Sequence, residues 1–415
     1  MDERILEQAR AAKSASRVLA CATTDEKNRA LMLIADALEK RSGEILAANA
    51  LDVDAARAKG TSESLIDRLS LTESRISAIA EGVRQMANLP DPVGEVVEQT
   101  TRPNGLVISK VRVPLGVIGM IYEARPNVTV DAAALTLKAG SAVLLRGSGS
   151  AVNSNETLVR VIRDALRETA IPEGAVDLID GTSHDSVDEM MTLRGYIDLM
   201  IPRGGAGLIR RVVDGSRVPV LETGVGNCHI FVDETAEPEM AEKILINAKT
   251  QRPSVCNAAE TLLVHRGRPD LLKKLCSALA ENGVTVHGDE EVCSLIEGAV
   301  PATEKDFAEE FLSLDMAVKL VGSVDEAIEH ITRYGTGHTE AIVTGSRENA
   351  DLFVRSIDAA AVNVNASTRF TDGFEYGFGA EIGISTQKMH ARGPLGLREI
   401  TSYKYIVEGN GQIRG

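Results

Sequence analysis

One residue stands out for its chemistry. Cys256 lies in Gln251-Arg252-Pro253-Ser254-Val255-Cys256-Asn257-Ala258-Ala259-Glu260, a polar break between a helical run and a strand. A partly exposed thiol beside a cation such as Arg252 is biased toward thiolate, the nucleophilic form. The alternative is a buried, inert thiol, the state expected of Cys228, Cys276 and Cys293. With Cys21 these make five cysteines, an odd number, widely spaced and without CxxC, which is neither a disulfide framework nor a zinc site. The seven His residues form no pair at metal-binding spacing on a helix, so no metal is expected. GxxxxGK[ST], HExxH and GxSxG are absent, and Gly224-Val225-Gly226-Asn227-Cys228-His229 fails to complete GxGxxG. NTPase, zincin and serine-hydrolase chemistry lose support accordingly.

The elements around Cys256 follow from periodicity. Thr23-Thr24-Asp25-Glu26 offers a capping box, and Leu31, Ile34, Ala35 and Leu38 then recur at helical spacing, so the first hundred residues read as a covering layer of amphipathic helices. The pattern breaks at Pro90-Asp91-Pro92-Val93-Gly94, and Leu106 to Val113 alternates after Asn104-Gly105, which predicts a β-hairpin. Apolar runs at Val117–Tyr122, Ala142–Leu145, Val176–Ile179, Ile197–Ile201, Val218–Leu221 and Ile230–Val232 alternate with helical stretches. Such runs predict a parallel sheet buried on both faces. A second α/β series has strands near Thr261–Val264, Ala317–Val321, Ala341–Val343 and Ala360–Val364. The tail, Glu399 to Val407, is a lone run of β-formers expected to complete a sheet elsewhere, in this chain or another subunit.

At 415 residues, 44% hydrophobic and 25% charged, the chain has the composition of a globular protein of two or three domains. A net charge of −15 repels nucleic-acid backbones and anionic lipid, and the absence of Trp, with six Tyr and seven Phe, argues against a base-stacking platform. Neither nucleic acid nor membrane is an expected partner. The opening Met1-Asp2-Glu3-Arg4 has no signal-peptide pattern, and the most apolar stretch, Val113 to Tyr122, is ten residues long and cannot span a bilayer. A cytoplasmic setting is expected.

Several motifs, in order and over essentially the whole chain, resemble the aldehyde dehydrogenase superfamily, and within it the branch that reduces gamma-glutamyl phosphate. They are Val113-Pro114-Leu115-Gly116-Val117-Ile118-Gly119, Tyr122-Glu123-Ala124-Arg125-Pro126-Asn127-Val128-Thr129, Leu221 to His229, and the Gln251 to Ala259 loop. Ala327 to Ile331 with Tyr334 to Glu340, and Asn365 to Gly383, complete the set. The resemblance implies a Rossmann-like nucleotide domain (1–101 and 116–225), a second α/β catalytic domain (226–390) and a β-flap for homo-oligomerisation (102–115 and 391–415). It implies NADPH-dependent reduction of L-glutamate 5-phosphate to L-glutamate 5-semialdehyde through a Cys256 thioester, the second step of proline synthesis. The lability of an acyl phosphate adds an expected transient contact with glutamate 5-kinase, although no segment marks a docking surface.

The same resemblance assigns residues. Asn127 matches the oxyanion-stabilising Asn; a turn-forming Asn after Pro126 is the other reading. Glu222 lies 34 residues before Cys256, as does the water-activating Glu of hydrolytic relatives, or it caps the turn at Thr223-Gly224. In Leu144-Leu145-Arg146-Gly147-Ser148-Gly149, Arg146 and Ser148 suit the 2′-phosphate of NADP, unless this is a solvated basic turn. Arg203-Gly204-Gly205 resembles a second phosphate-facing loop. Glu310 resembles the Glu that grips the nicotinamide ribose, or is a solvated helix end. Arg125, Asn365, Ser367 and Arg369 are candidates for the substrate's charged groups, either Arg being equally an ion-pair member. A hydrolytic or CoA-acylating dehydrogenase, and a nucleotide-binding scaffold without turnover, stay open as rivals.

Overall fold

The computed structural model describes residues 2–179, 183 and 185–414. Two compact units emerge: Met1–Glu222 with Gly377–Gly383 and Leu395–Gly415, and Thr223–Tyr376 with Ile384–Pro394.

The first unit opens with helices α1 (Glu3–Leu19), α2 (Thr24–Lys40), α3 (Ser42–Ala58), α4 (Glu63–Leu69) and α5 (Glu73–Asn88). The capping box on α2 is present in both directions between Thr23 and Glu26. Strands β1 (Val96–Thr101) and β2 (Val107–Pro114) form the expected antiparallel hairpin. Then come β3 (Val117–Tyr122), α6 (Pro126–Lys138), β4 (Ala142–Arg146), α7 (Val152–Leu166), β5 (Val176–Leu178), α8 (Asp185–Met191), β6 (Leu199–Arg203) and α9 (Ala206–Gly215). The sheet is parallel, in the order β5-β4-β3-β6. Chain order reverses between β3 and β6, and the loops leaving those two strands flank the crevice where open α/β sheets bind ligands.

The second unit carries β7 (Cys228–Val232), α10 (Pro238–Thr250), β8 (Ala259–His265), α11 (Pro269–Glu281), β9 (Thr285–Gly288), α12 (Glu290–Leu295), β10 (Val300–Pro301) and β11 (Asp315–Val321). It continues with α13 (Val324–Tyr334), β12 (Thr339–Val343), α14 (Arg347–Ser356) and β13 (Ala361–Val364), then the short pair β14 (Ile384–Ser385) and β15 (Gly393–Pro394). Its main sheet is parallel throughout, in the order β10-β9-β11-β8-β7-β12-β13. Both of its faces are apolar. Leu262, Val264, Leu275 and Val318 pack on one, and Phe231, Leu263, Ile342 and Phe353 on the other.

Two expectations are corrected. Residues 218–221 make only an isolated bridge, Met200 to Val220, because Pro219 has no N–H for a ladder. Ile230–Val232 belongs to the second sheet, between β8 and β12, since a run of strands in sequence does not fix which sheet each joins. The C-terminal strand β16 (Thr401–Glu408) completes a sheet away from its chain neighbours, as expected, pairing along β2 of the 102–115 hairpin with Thr401 opposite Pro114 through Glu408 opposite Val107.

Candidate active site

Cys256 sits on a partly buried turn just before the N-terminal end of β8. The loop that carries it runs from α10 to β8, and its two ends are tied by a fully buried ion pair, Lys249 Nζ to Glu260 Oε2 at 2.5 Å. The second Glu260 oxygen accepts from the Leu312 N–H at 3.2 Å. Burial raises the Glu260 carboxyl and lowers the Lys249 ammonium, each opposed by its partner's charge. Within the loop, the Cys228 thiol donates to the Cys256 carbonyl oxygen at 3.2 Å, and burial pushes that thiol well above its ordinary range. Cys228 is therefore a proton-bearing donor that fixes the turn.

Gly226 is required by close approach. A Cβ there would lie 1.6 Å from the Cys256 carbonyl oxygen. Its own N–H donates to Glu310 Oε1 at 2.8 Å, which brings Glu310 to the segment packed on the nucleophile. Burial raises the Glu310 carboxyl.

Asn257 is clamped from the 367–371 turn: Thr368 Oγ1 donates to its carbonyl at 2.7 Å, and its Nδ2 donates to Thr371 O at 3.0 Å. Arg369 completes the clamp, donating to Asn257 Oδ1 and, at 2.9 Å, to Gln251 Oε1. Its guanidinium also faces Cys256 electrostatically, and the exposed Arg252 faces that guanidinium in turn. Ser367 is buried beside it, its hydroxyl accepting from the Arg369 N–H at 3.3 Å.

Asn365 has a different employment from the one the sequence suggested. Thr344 N–H donates to its Oδ1 at 2.9 Å and its Nδ2 donates to Thr344 O at 3.0 Å, so both ends of the amide are engaged. Those contacts lie past the C-terminal end of β12, whereas Cys256 precedes the N-terminal end of β8. The structure does not bring Asn365 to the nucleophile.

In the first unit, the other candidates gather at the C-terminal ends of β3, β4 and β6. Arg146 is buried, donating from Nη2 to Ser183 O at 2.7 Å and from Nε to Ser186 Oγ at 3.2 Å. Gly147 allows close packing, because a Cβ there would meet Asn155 Nδ2 at 2.1 Å. Asn155 in turn accepts from Thr129, which shares a hydrogen bond with the buried Tyr122 hydroxyl. This polar chain ties β3, α6 and α7 beneath the loop. Ser148 caps the following turn, its hydroxyl accepting from Ser150 N at 3.3 Å.

The Arg203-Gly204-Gly205 turn opens α9, and the Gly205 N–H donates to Glu123 Oε2 at 3.0 Å. A carboxylate thus already occupies a donor expected to face phosphate. Arg125 is the N-cap residue of α6, and Asn127 stands in the first turn of that helix with its Nδ2 donating to Asp131 Oδ2 at 3.0 Å. Glu222 is partly buried in the irregular segment after the Val220 bridge. Sequence reasoning passed over Glu123, Asp131 and Asn257, and it placed Cys228 as a buried thiol without its donor role; only the Asn127–Asp131 spacing of one helical turn carried a signal.

Residues 2–297 match the aldehyde dehydrogenase family model. Over 416 aligned residues, all of both chains, the sequence is 60% identical to the gamma-glutamyl phosphate reductase of Carboxydothermus hydrogenoformans. The chain belongs to the aldehyde dehydrogenase family, among its gamma-glutamyl phosphate reductases. The crystal structure of the gamma-glutamyl phosphate reductase from Thermotoga maritima superposes with a TM-score of 0.97 at 54% identity, covering 99% of this chain and 100% of that one. An acetylating aldehyde dehydrogenase from Geobacillus thermoglucosidasius shares the fold alone, with a TM-score of 0.73 at 17% identity over 100% and 98% of the two chains.

Aldehyde dehydrogenases use a nicotinamide cofactor, and the first unit fits one. Its strand order reverses between β3 and β6, and Gly147, just before Ser148, admits close packing beneath the loop. Among the described residues no helix is long and apolar enough to cross a membrane.

Proposed function

We propose that this protein reduces L-glutamate 5-phosphate to L-glutamate 5-semialdehyde with NADPH, releasing phosphate, the second step of proline synthesis. The observation that carries the reading is the Cys256 turn. Its carbonyl is fixed by Cys228, its neighbour Asn257 is clamped, and a guanidinium faces the thiol. A scaffold without turnover has no use for a thiol held in this way. The identity with reductases across the whole chain favours this reading over a hydrolytic or CoA-acylating dehydrogenase.

Arg369 favours the Cys256 thiolate, which attacks the C5 acyl carbon; the C–S bond forms, and the C–O bond to phosphate breaks with its electron pair on the leaving phosphate. The cofactor, when bound, supplies hydride to the thioester carbon. Asn127 Nδ2 and the Cys256 backbone N–H take the negative charge on the oxygen. Collapse then breaks the C–S bond, releases the aldehyde and returns the thiolate. Arg125, Ser367 and Arg369 meet the substrate's charged groups. Arg146, Ser148 and the Arg203–Gly205 turn hold the nucleotide, with Glu310 on the nicotinamide ribose. Glu222 is kept from activating water against the thioester.

The reading places the enzyme in the cytoplasm as a homo-oligomer joined through the sheet of β1, β2 and β16, whose Val96, Val97, Tyr405 and Val407 are exposed. It receives its labile substrate by transient contact with glutamate 5-kinase. The test is covalent trapping. With L-glutamate 5-phosphate and no cofactor, intact mass should show one glutamyl group on Cys256, lost in Cys256→Ala. Wild-type protein that turns over but forms no adduct on Cys256 would overturn the reading.

A further inference from the structure

Asn127 has an amide with two N–H donors and an acceptor oxygen, and the two ends differ in what they do to a developing oxyanion. Nitrogen toward it stabilises, whereas oxygen toward it repels. Something must therefore fix the rotation of this amide. Asp131, one turn further along α6, lies on the same helix face. It accepts from Asn127 Nδ2 at 3.0 Å. An ionised carboxylate has acceptors only, so it pairs with the NH2 end and not with Oδ1. Its contact uses one of the two N–H groups and leaves the other.

We propose that Asp131 is a positioning residue for the reaction, acting through Asn127 by holding the amide with nitrogen toward the substrate oxygen. The inference rests on the reading of Asn127 as an oxyanion donor. Part of the Asp131 residue reaches the surface, but its carboxyl is largely desolvated, and Arg203 at the end of β6, which faces it electrostatically, only partly offsets that. The β3–β6 crevice therefore sets a cation, Arg203, in the field of this carboxylate beside the developing charge. This also gives Arg203 a role besides the cofactor phosphate expected of it.

The experiment is a double-mutant cycle on kcat. Asp131→Ala should lower kcat about tenfold, with KM for the semialdehyde and Kd for NADP within about twofold, the size expected of a charge-assisted hydrogen bond. Asp131→Asn, isosteric and still able to accept, should lose only about threefold; if the Ala variant does not fold, this one carries the test. Asn127→Ala alone should lower kcat by about a hundredfold or more. In the Asn127→Ala background, both Asp131 substitutions should change kcat by less than about twofold. Losses that simply multiply would show Asp131 acting on the fold rather than through the amide, and full kcat in Asp131→Ala would overturn the inference. If Asn127→Ala itself left kcat intact, the oxyanion reading would fall first and the inference with it, a result distinct from multiplying losses.

Discussion

At Cys256 the backbone is held harder than the side chain. The carbonyl accepts from Cys228, and Gly226 packs on the same oxygen, while the thiol faces Arg369. Cys256→Ala should therefore abolish turnover and leave NADP affinity unchanged, as measured by fluorescence titration; a tenth of wild-type activity in that variant would remove the thiol from the mechanism. Arg146→Ala should weaken NADPH by about tenfold to a hundredfold and NADH less, since only NADPH offers a 2′-phosphate. Equal losses would restrict Arg146 to bracing Ser183 and Ser186. Asp131 makes a pH prediction. Burial pushes its carboxyl up to about 6 in the folded protein, against an ordinary value of 3.8. The folded state then binds the proton more tightly, so stability falls as pH rises from about 4 to 6 and the penalty is complete above that. Asp131→Asn should raise Tm by a few degrees at pH 8 and leave it unchanged near pH 4, by differential scanning fluorimetry. A Tm gain that persisted at pH 4 would contradict the assignment.

Among the elements, the α10–β8 loop depends on the Lys249–Glu260 pair at its two ends. Lys249→Met leaves a buried carboxylate without its cation, a change that typically costs about 3–5 kcal/mol. Tm should drop by several degrees at pH 8, with much of the loss recovered in Lys249→Met/Glu260→Gln; a single variant as stable as wild type would show the pair to be incidental. Local elements were legible in the sequence because their causes are local. Thr23 and Glu26 reach each other across one turn, and Asn104-Gly105 makes its own hairpin. The 218–221 run misled because its apolar content matched a strand while Pro219 blocked the ladder. Asn365 misled for a different reason: its contact with Thr344 exists only because β12 and β13 run parallel in one register, which no local pattern encodes. Glu123 was likewise invisible, since its partner Gly205 is brought near by the pairing of β3 with β6.

For the molecule as a whole, the central claim is that phosphate, not water or coenzyme A, exchanges with the thioester. Glu222 is the residue that sets the test, because a competent general base there would send the acyl group to glutamate. The measurement is NADP reduction with L-glutamate 5-semialdehyde, with and without inorganic phosphate, in wild type and Glu222→Gln, with free glutamate assayed alongside. Both proteins should need phosphate and make little glutamate. Rapid phosphate-free oxidation in wild type, lost in Glu222→Gln, would make this a hydrolytic dehydrogenase and contradict the account.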